Sequence, residues 1–284
     1  MSISNLHVAT IQPFHPDSLA ENILMQESAW QWVDQAVTDG AQLVVLPEYF
    51  NVMGLTTQQV LEEAKKAQKQ REIASKVCQQ HHIWLLLPLI EHRDQGVFNT
   101  AHLFNPLGEI VLTYDKTHLT LGERQDYGLT PGDAIKTVDT EFGRVGVMIC
   151  YDIYFPEVAR VLALEGAQII LFPSLQRSEQ EDCCMLLNRM RAMDSTAYLI
   201  RSSYGRRPSK VHKPGLTYGS SCIIGPDGSI LANAGYDEGF THAVIAPKTP
   251  WQRQRCHGMP PHAVRDFLNE DRRPELYGTI FREK

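Results

Sequence analysis

The chain has 284 residues, 43% hydrophobic and 21% charged, with 27 Lys plus Arg against 33 Asp plus Glu and a net charge of -6. That mix is too apolar for a disordered chain, and its negative balance offers no general attraction to phosphate backbones or anionic lipid, so neither nucleic acid nor a membrane is an expected partner. No apolar run nears the roughly 20 residues that span a bilayer, and no secretory leader pattern opens the chain, so a cytoplasmic protein forming one domain over residues 1–284 is expected.

Residues 6–11 predict an opening strand, and 18–37 a helix started by Asp17 or Ser18 and stopped by Gly40. Leu43-Val44-Val45-Leu46 is continuously apolar, as in a strand covered on both faces, and runs straight into Pro47 and Glu48. One long polar helix is expected over 57–80, then a strand over 83–89. Asn105-Pro106-Leu107-Gly108 suits a reversal, which makes 98–104 and 110–114 an antiparallel hairpin. A strand over 144–149 ends at Cys150, and a helix follows over 155–165. The unit then repeats as a strand at 169–172, a helix at 183–195, and strands at 198–203 and 220–224, with Gly225-Pro226-Asp227-Gly228 turning toward Ile230. Strands and helices alternate but hairpins interrupt the crossovers, so the expected class is α/β, with two mixed sheets face to face and helices outside, rather than an eightfold barrel. After Thr249 the chain is rich in Pro, Arg and His, and this tail is expected to wrap over a surface or another subunit.

Cysteines 78, 150, 183, 184, 222 and 256 show no disulfide-scaffold spacing. Neither Cys-x-x-Cys nor His-Glu-x-x-His occurs, so no metal is expected.

Three positions at strand ends carry candidate chemistry. Cys150 closes an apolar strand just before a helix, the geometry of a nucleophile elbow, where leading helix amides and the helix dipole favour a thiolate or an oxyanion. A buried core cysteine is the plainer alternative. Glu48 stands at the carboxyl end of a buried strand, where desolvation raises a carboxyl group toward the range useful for taking a thiol proton. Lys116 follows the hairpin, placed to donate to an oxygen that becomes negative in a tetrahedral intermediate.

In this order, Leu46-Pro47-Glu48-Tyr49-Phe50, Tyr114-Asp115-Lys116-Thr117-His118-Leu119 and Gly146 to Glu157 resemble the three motifs of the nitrilase superfamily, the carbon-nitrogen hydrolase family. The resemblance covers nearly the whole chain. It implies a four-layer αββα sandwich, a Glu48–Lys116–Cys150 triad, no metal or organic cofactor, and a homodimer or larger assembly. Glu123 fits the place of the family's second glutamate, orienting Lys116 and the substrate amine, and the backbone amide of Tyr151 is the expected second donor to the oxyanion. Tyr154 and Arg191 are candidate substrate contacts. The implied reaction is hydrolysis of a small amide or N-carbamoyl compound through a thioester on Cys150. Tyr151-Asp152 resembles the amidase branches rather than the true nitrilases, which carry Trp-Glu there. Nitrile hydrolysis, acyl transfer to an amine, and a catalytically silent binding protein on this fold are the alternatives. The basic stretch 205–213 is expected to be either a solvated loop or a lid selecting acidic substrates.

Overall fold

Apolar strand patterns resolve into two sheets in the computed structural model, which describes residues 5–176, 181–211 and 219–281. The first sheet comprises β1 (Leu6–Gln12), β2 (Leu43–Val45), β3 (Trp84–Arg93), β4 (Gly96–Phe104), β5 (Ile110–Asp115) and, returning from far along the chain, β12 (Gly239–Ile245). The second comprises β6 (Thr137–Thr140), β7 (Gly143–Val147), β8 (Ile169–Pro173), β9 (Tyr198–Ser202), β10 (Cys222–Ile224) and β11 (Ile230–Asn233). Their orders are β12-β1-β2-β3-β4-β5 and β11-β10-β9-β8-β7-β6. Strands β1, β2 and β3 run parallel, as do β7, β8 and β9, and antiparallel strands flank each trio.

Alternate side chains of the two sheets meet in one apolar layer that includes Val8, Val45, Leu86, Val147, Leu171 and Ile200. The outer face of the first sheet is covered by α1 (Leu19–Thr38) and α3 (Ala67–His81), through Met25, Ala29, Val33, Ala74 and Cys78. The outer face of the second is covered by α5 (Pro156–Leu164) and α6 (Glu181–Ser195), through Val158, Leu162 and Ala192. The layers are therefore α-β-β-α, as expected. Ser18 caps α1 by accepting from the Glu21 amide (3.2 Å), and Gly40 leaves it at φ +100.

The single helix expected over 57–80 is instead two, α2 (Thr57–Ala64) and α3. Thr56 and Gln59 form a capping box that starts α2, and the chain breaks at Lys65-Lys66. The two halves bury different faces: Val60 and Ala64 join a small cluster with Ile90 and Leu119, while Ala67, Ala74 and Cys78 join the layer under α1. Local periodicity looks continuous across the break because each half is amphipathic by itself. β6, β12 and the short α4 (Leu121–Gln125) have no counterpart in the sequence reading. A partner eleven strands earlier in the chain, β1, decides β12, whose weakly buried pattern carries little signal alone.

The described chain divides into two units, one through Lys248 and one from Thr249. The second has its own hairpin, β13 (Gln252–Gln254) and β14 (Pro261–Ala263), followed by α7 (Val264–Glu270). Its buried Val264 and Phe267 are covered in part by the guanidinium groups of Arg253 and Arg255, each 5.9 Å from the Phe267 ring.

Candidate active site

The parallel trios end at the same edge of the sandwich, the place where open α/β sheets gather ligands. Past β2, Leu46-Pro47 leads to a fully buried Glu48, whose carbonyl accepts from the Tyr204 hydroxyl (2.7 Å). Tyr49 then takes φ +61, in the left-handed region. Past β5, the Lys116 amide donates to the Asn99 carbonyl of β4 (2.8 Å), and its own carbonyl accepts from the Gly132 amide (2.9 Å). A Cβ on Gly132 would lie 2.2 Å from the Asp115 carbonyl oxygen, so only glycine lets this loop close over the lysine. Past β7, Cys150 takes φ +45 and opens a 3-10 turn over Cys150–Tyr154, with Pro156 starting α5. Non-glycine residues held there cost about 1–3 kcal/mol each, and two of them flank the same centre.

The side chains converge on Lys116, which is 1% exposed. Its ammonium donates to Glu48 Oε1 (2.9 Å) and to Glu123 Oε1 and Oε2 (2.9 and 3.0 Å). Asn99 Nδ2 donates to Glu48 Oε1 and Glu123 Oε1, both at 2.8 Å, and the Tyr49 hydroxyl donates to Glu123 Oε1 at 2.7 Å. The Leu175 amide, just past β8, donates to Glu48 Oε2 (2.9 Å) and also faces the Cys150 thiol. Glu123 is thus a buried residue held by a capping box with Thr120. The structure brings Glu48, Lys116, Glu123 and Cys150 into one electrostatically linked group.

Burial is the largest single influence on each proton affinity, and the neighbouring charges together outweigh it for Glu123 and Lys116. It raises Glu48 above the usual carboxylate range, against the Lys116 charge and with the help of Glu123. Burial opposes the ionised form of Glu123 as well, but Lys116 and the donors Asn99 and Tyr49 outweigh it and hold the group below its usual value. Lys116 is pushed down by burial and up, more strongly in sum, by Glu48, Cys150 and Glu123, so it stays an ammonium. The Cys150 thiol is raised by burial and by Glu48, so it rests protonated beside a carboxyl group of raised basicity. One carboxylate suited to proton transfer and one suited to staying charged is the division that acid-base work requires.

A third buried carboxylate, Asp152, ties the lysine segment to the cysteine turn. Its Oδ2 accepts from the Tyr114 hydroxyl (2.7 Å) and the Ile149 amide (2.8 Å). Its Oδ1 accepts from Thr117 Oγ1 (3.1 Å) and the His118 amide (3.0 Å), with His118 Nδ1 also at 3.0 Å. The His118 ring stacks on Phe155 with centroids 3.8 Å apart. Sequence reasoning assigned Asp152 no role beyond its motif and missed Asn99 entirely; a polar Asn in the otherwise apolar run at 98–104 was the available signal.

Of the expected substrate contacts, Arg191 is 8% exposed and donates to the Ile153 carbonyl (2.8 Å) and to Asp194 (2.9 Å), which makes it a buttress behind the cysteine turn. Tyr151 and Tyr154 rings lie 5.4 Å apart, with Tyr154 36% exposed. A cavity of about 250 Å³ opens beside the site, lined by Tyr49 and Leu175 together with Val52, Met53, His15 and Asp17, and neither Tyr154 nor Arg191 lines it. In the basic stretch, Arg206 pairs with Asp237 (3.2 Å), Arg207 with Glu238 (3.5 Å), and Lys210 with Asp17 and Glu21 (2.8 and 2.6 Å); its last residues, 212 and 213, lie outside the described residues. Among the described residues no group of three or more His, Cys, Asp or Glu is arranged to hold a metal ion.

The sequence profile described as carbon-nitrogen hydrolase matches residues 8–249. Omega-amidase NIT2-B of Xenopus laevis is 31% identical over 227 residues, 76% of this chain and 81% of the relative. Omega-amidase NIT2 of Homo sapiens is 31% identical with the same coverage. A carbon-nitrogen hydrolase from Helicobacter pylori G27 superposes over 100% of both chains with TM-score 0.82 at 24% identity. An amidase from Nesterenkonia sp. does so over 97% and 96% with TM-score 0.77 at 22% identity, so these two structures speak for the fold. By the extent of the profile match and by its relatives, the chain belongs to the carbon-nitrogen hydrolase family, the nitrilase superfamily.

Proposed function

We propose that this carbon-nitrogen hydrolase cleaves small linear amides through a thioester on Cys150, with Glu48 moving the proton and Lys116 holding the oxyanion. The observation that carries the reading is the Lys116 ammonium, buried between Glu48 and Glu123 and within electrostatic reach of a cysteine held at φ +45. As Cys150 Sγ attacks the amide carbon, its proton passes to Glu48, whose raised affinity suits it to that transfer. The oxygen becomes negative between the Lys116 ammonium and the Tyr151 amide, which stands in the first turn of a helix, where amides have no intrahelical partner. Collapse breaks the C–N bond, and the departing nitrogen takes the proton from Glu48, leaving the thioester. Water then gives a proton to Glu48 and its oxygen to the acyl carbon; the thiolate leaves and recovers that proton, which yields the acid and the free enzyme. Glu123 stays ionised throughout and keeps the ammonium aimed.

Cys150→Ala is expected to abolish ammonia release from a panel of small amides while leaving the melting temperature near that of the native protein. Retained turnover would refute the assignment. The same panel, extended to dicarboxylate monoamides, carbamoyl compounds and nitriles, tests the substrate class; the omega-amidase relatives support the amide reading. The further parts of this proposal are a cytoplasmic setting, which six free cysteines suit, and a homodimer or larger assembly with the tail from Thr249 packing across its interface. Exposed Leu164 on α5 and Leu186, Met190 and Met193 on α6 support association.

A further inference from the structure

Asn99 occupies a costly place. It lies in the interior of β4, a poor site for asparagine, at 1% exposure, and its Oδ1 is buried without a hydrogen-bond partner. An apolar residue would avoid that penalty. What the side chain gains is at its other end: Nδ2 sits 2.8 Å from Glu48 Oε1 and 2.8 Å from Glu123 Oε1, and both of these oxygens are also 2.9 Å from Lys116 Nζ. The four atoms form a closed ring in which two donors, one charged and one neutral, alternate with two carboxylate oxygens. The amide orientation follows, since Oδ1 in that place would add a third acceptor to two others. The Asn99 carbonyl meanwhile fixes the Lys116 amide (2.8 Å), so one residue of β4 sets the spacing of all three ionisable groups.

We propose that Asn99 is a positioning residue that controls the proton affinity of Glu48: it supplies the second bridging donor that lets Glu48 and Glu123 share a single ammonium without one of them binding a proton too firmly. This rests on the reading of Glu48 as the proton acceptor. The other groups facing Glu48 are Lys116, Glu123 of α4, Cys150 on the turn after β7, and the phenols of Tyr49 and Tyr204. With Asn99 removed, the repulsion between the two carboxylates is answered by Lys116 alone, and Glu48, the one already raised, takes the change.

The test is the pH profile of kcat/KM for ammonia release from butyramide, run beside the pH profile of Cys150 alkylation by iodoacetamide, in Asn99→Ala and Asn99→Leu. Loss of one hydrogen bond to a carboxylate is expected to displace the acid limb of both profiles upward by about one pH unit. KM should change much less than the rate below the limb. Asn99→Leu keeps the branched shape of the side chain and removes both N–H groups without adding a charge, so it decides the matter where Asn99→Ala does not fold. A limb that stays at the native position in a folded variant, whatever happens to kcat, overturns the proposal and leaves Asn99 a structural residue. Absence of butyramide hydrolysis by the native enzyme would count against the substrate reading alone, because the alkylation profile still reports whether Asn99 governs proton transfer from Cys150.

Discussion

Asp152→Asn isolates the clamp between two motifs that lie far apart in the chain. The native carboxylate is fully buried and meets five groups, namely the Tyr114 hydroxyl, the Ile149 amide, Thr117 Oγ1, and the amide and Nδ1 of His118. Asparagine retains one acceptor oxygen and turns an NH2 group toward the donors on the other side. If Oδ2 is lost, the Tyr114 hydroxyl at 2.7 Å and the Ile149 amide at 2.8 Å face a donor. Two hydrogen bonds to a charged acceptor, at about 1.5–3 kcal/mol each, give a loss of about 3–6 kcal/mol. That is survivable for a protein with about 5–15 kcal/mol of total stability, so the variant should fold with a lowered urea midpoint. The functional effect should be larger than the loss of fold. Ile149 precedes Cys150, the proposed nucleophile, and Thr117 follows Lys116, and a displacement of about 1 Å between such groups costs about 100-fold in rate. Ammonia release under saturating amide should therefore show kcat reduced about 100-fold in folded protein, with KM nearly unchanged. A variant that keeps both its urea midpoint and its kcat would refute the clamp.

Glu91 predicts an acid sensitivity unrelated to the active site. Burial opposes its charge, but hydrogen bonds from His102 and Arg71 win and hold it at about 2, below its usual 4.5. A carboxyl lowered on folding stabilises fully above its unfolded value and loses that contribution as pH falls from about 4.5 through about 2, worth ~3 kcal/mol in all. Urea midpoints should fall more steeply between pH 5 and pH 3 in the native protein than in Glu91→Gln; equal slopes would dismiss this origin. Neutralising Arg206 and Arg207 together should leave KM for an acidic amide nearly unchanged, because Asp237 and Glu238 already pair with them and the Arg207 guanidinium lies over the Phe14 ring at 3.8 Å. A several-fold rise in KM would restore the lid reading.

The residue pattern by itself pointed to two mixed sheets with helices outside and singled out Glu48, Lys116 and Cys150 at strand ends. Continuous apolar strands at 43–46 and 169–172 require cover on both faces, and Glu48 and Cys150 follow the ends of strands buried in that way. Both facts are local, since they depend on which side chains stand next to each other in the chain. The break between α2 and α3, the return of β12 beside β1, and the burial of Glu123 depended on partners remote in sequence. So did the clamp of Asp152 and the bridge made by Asn99, because a hydrogen bond between residues 51 positions apart leaves no periodic trace. Sequence fixes which groups can ionise; the fold alone sets how far each is from water and from the others, and in a buried site those distances decide which carboxyl binds a proton and which stays charged.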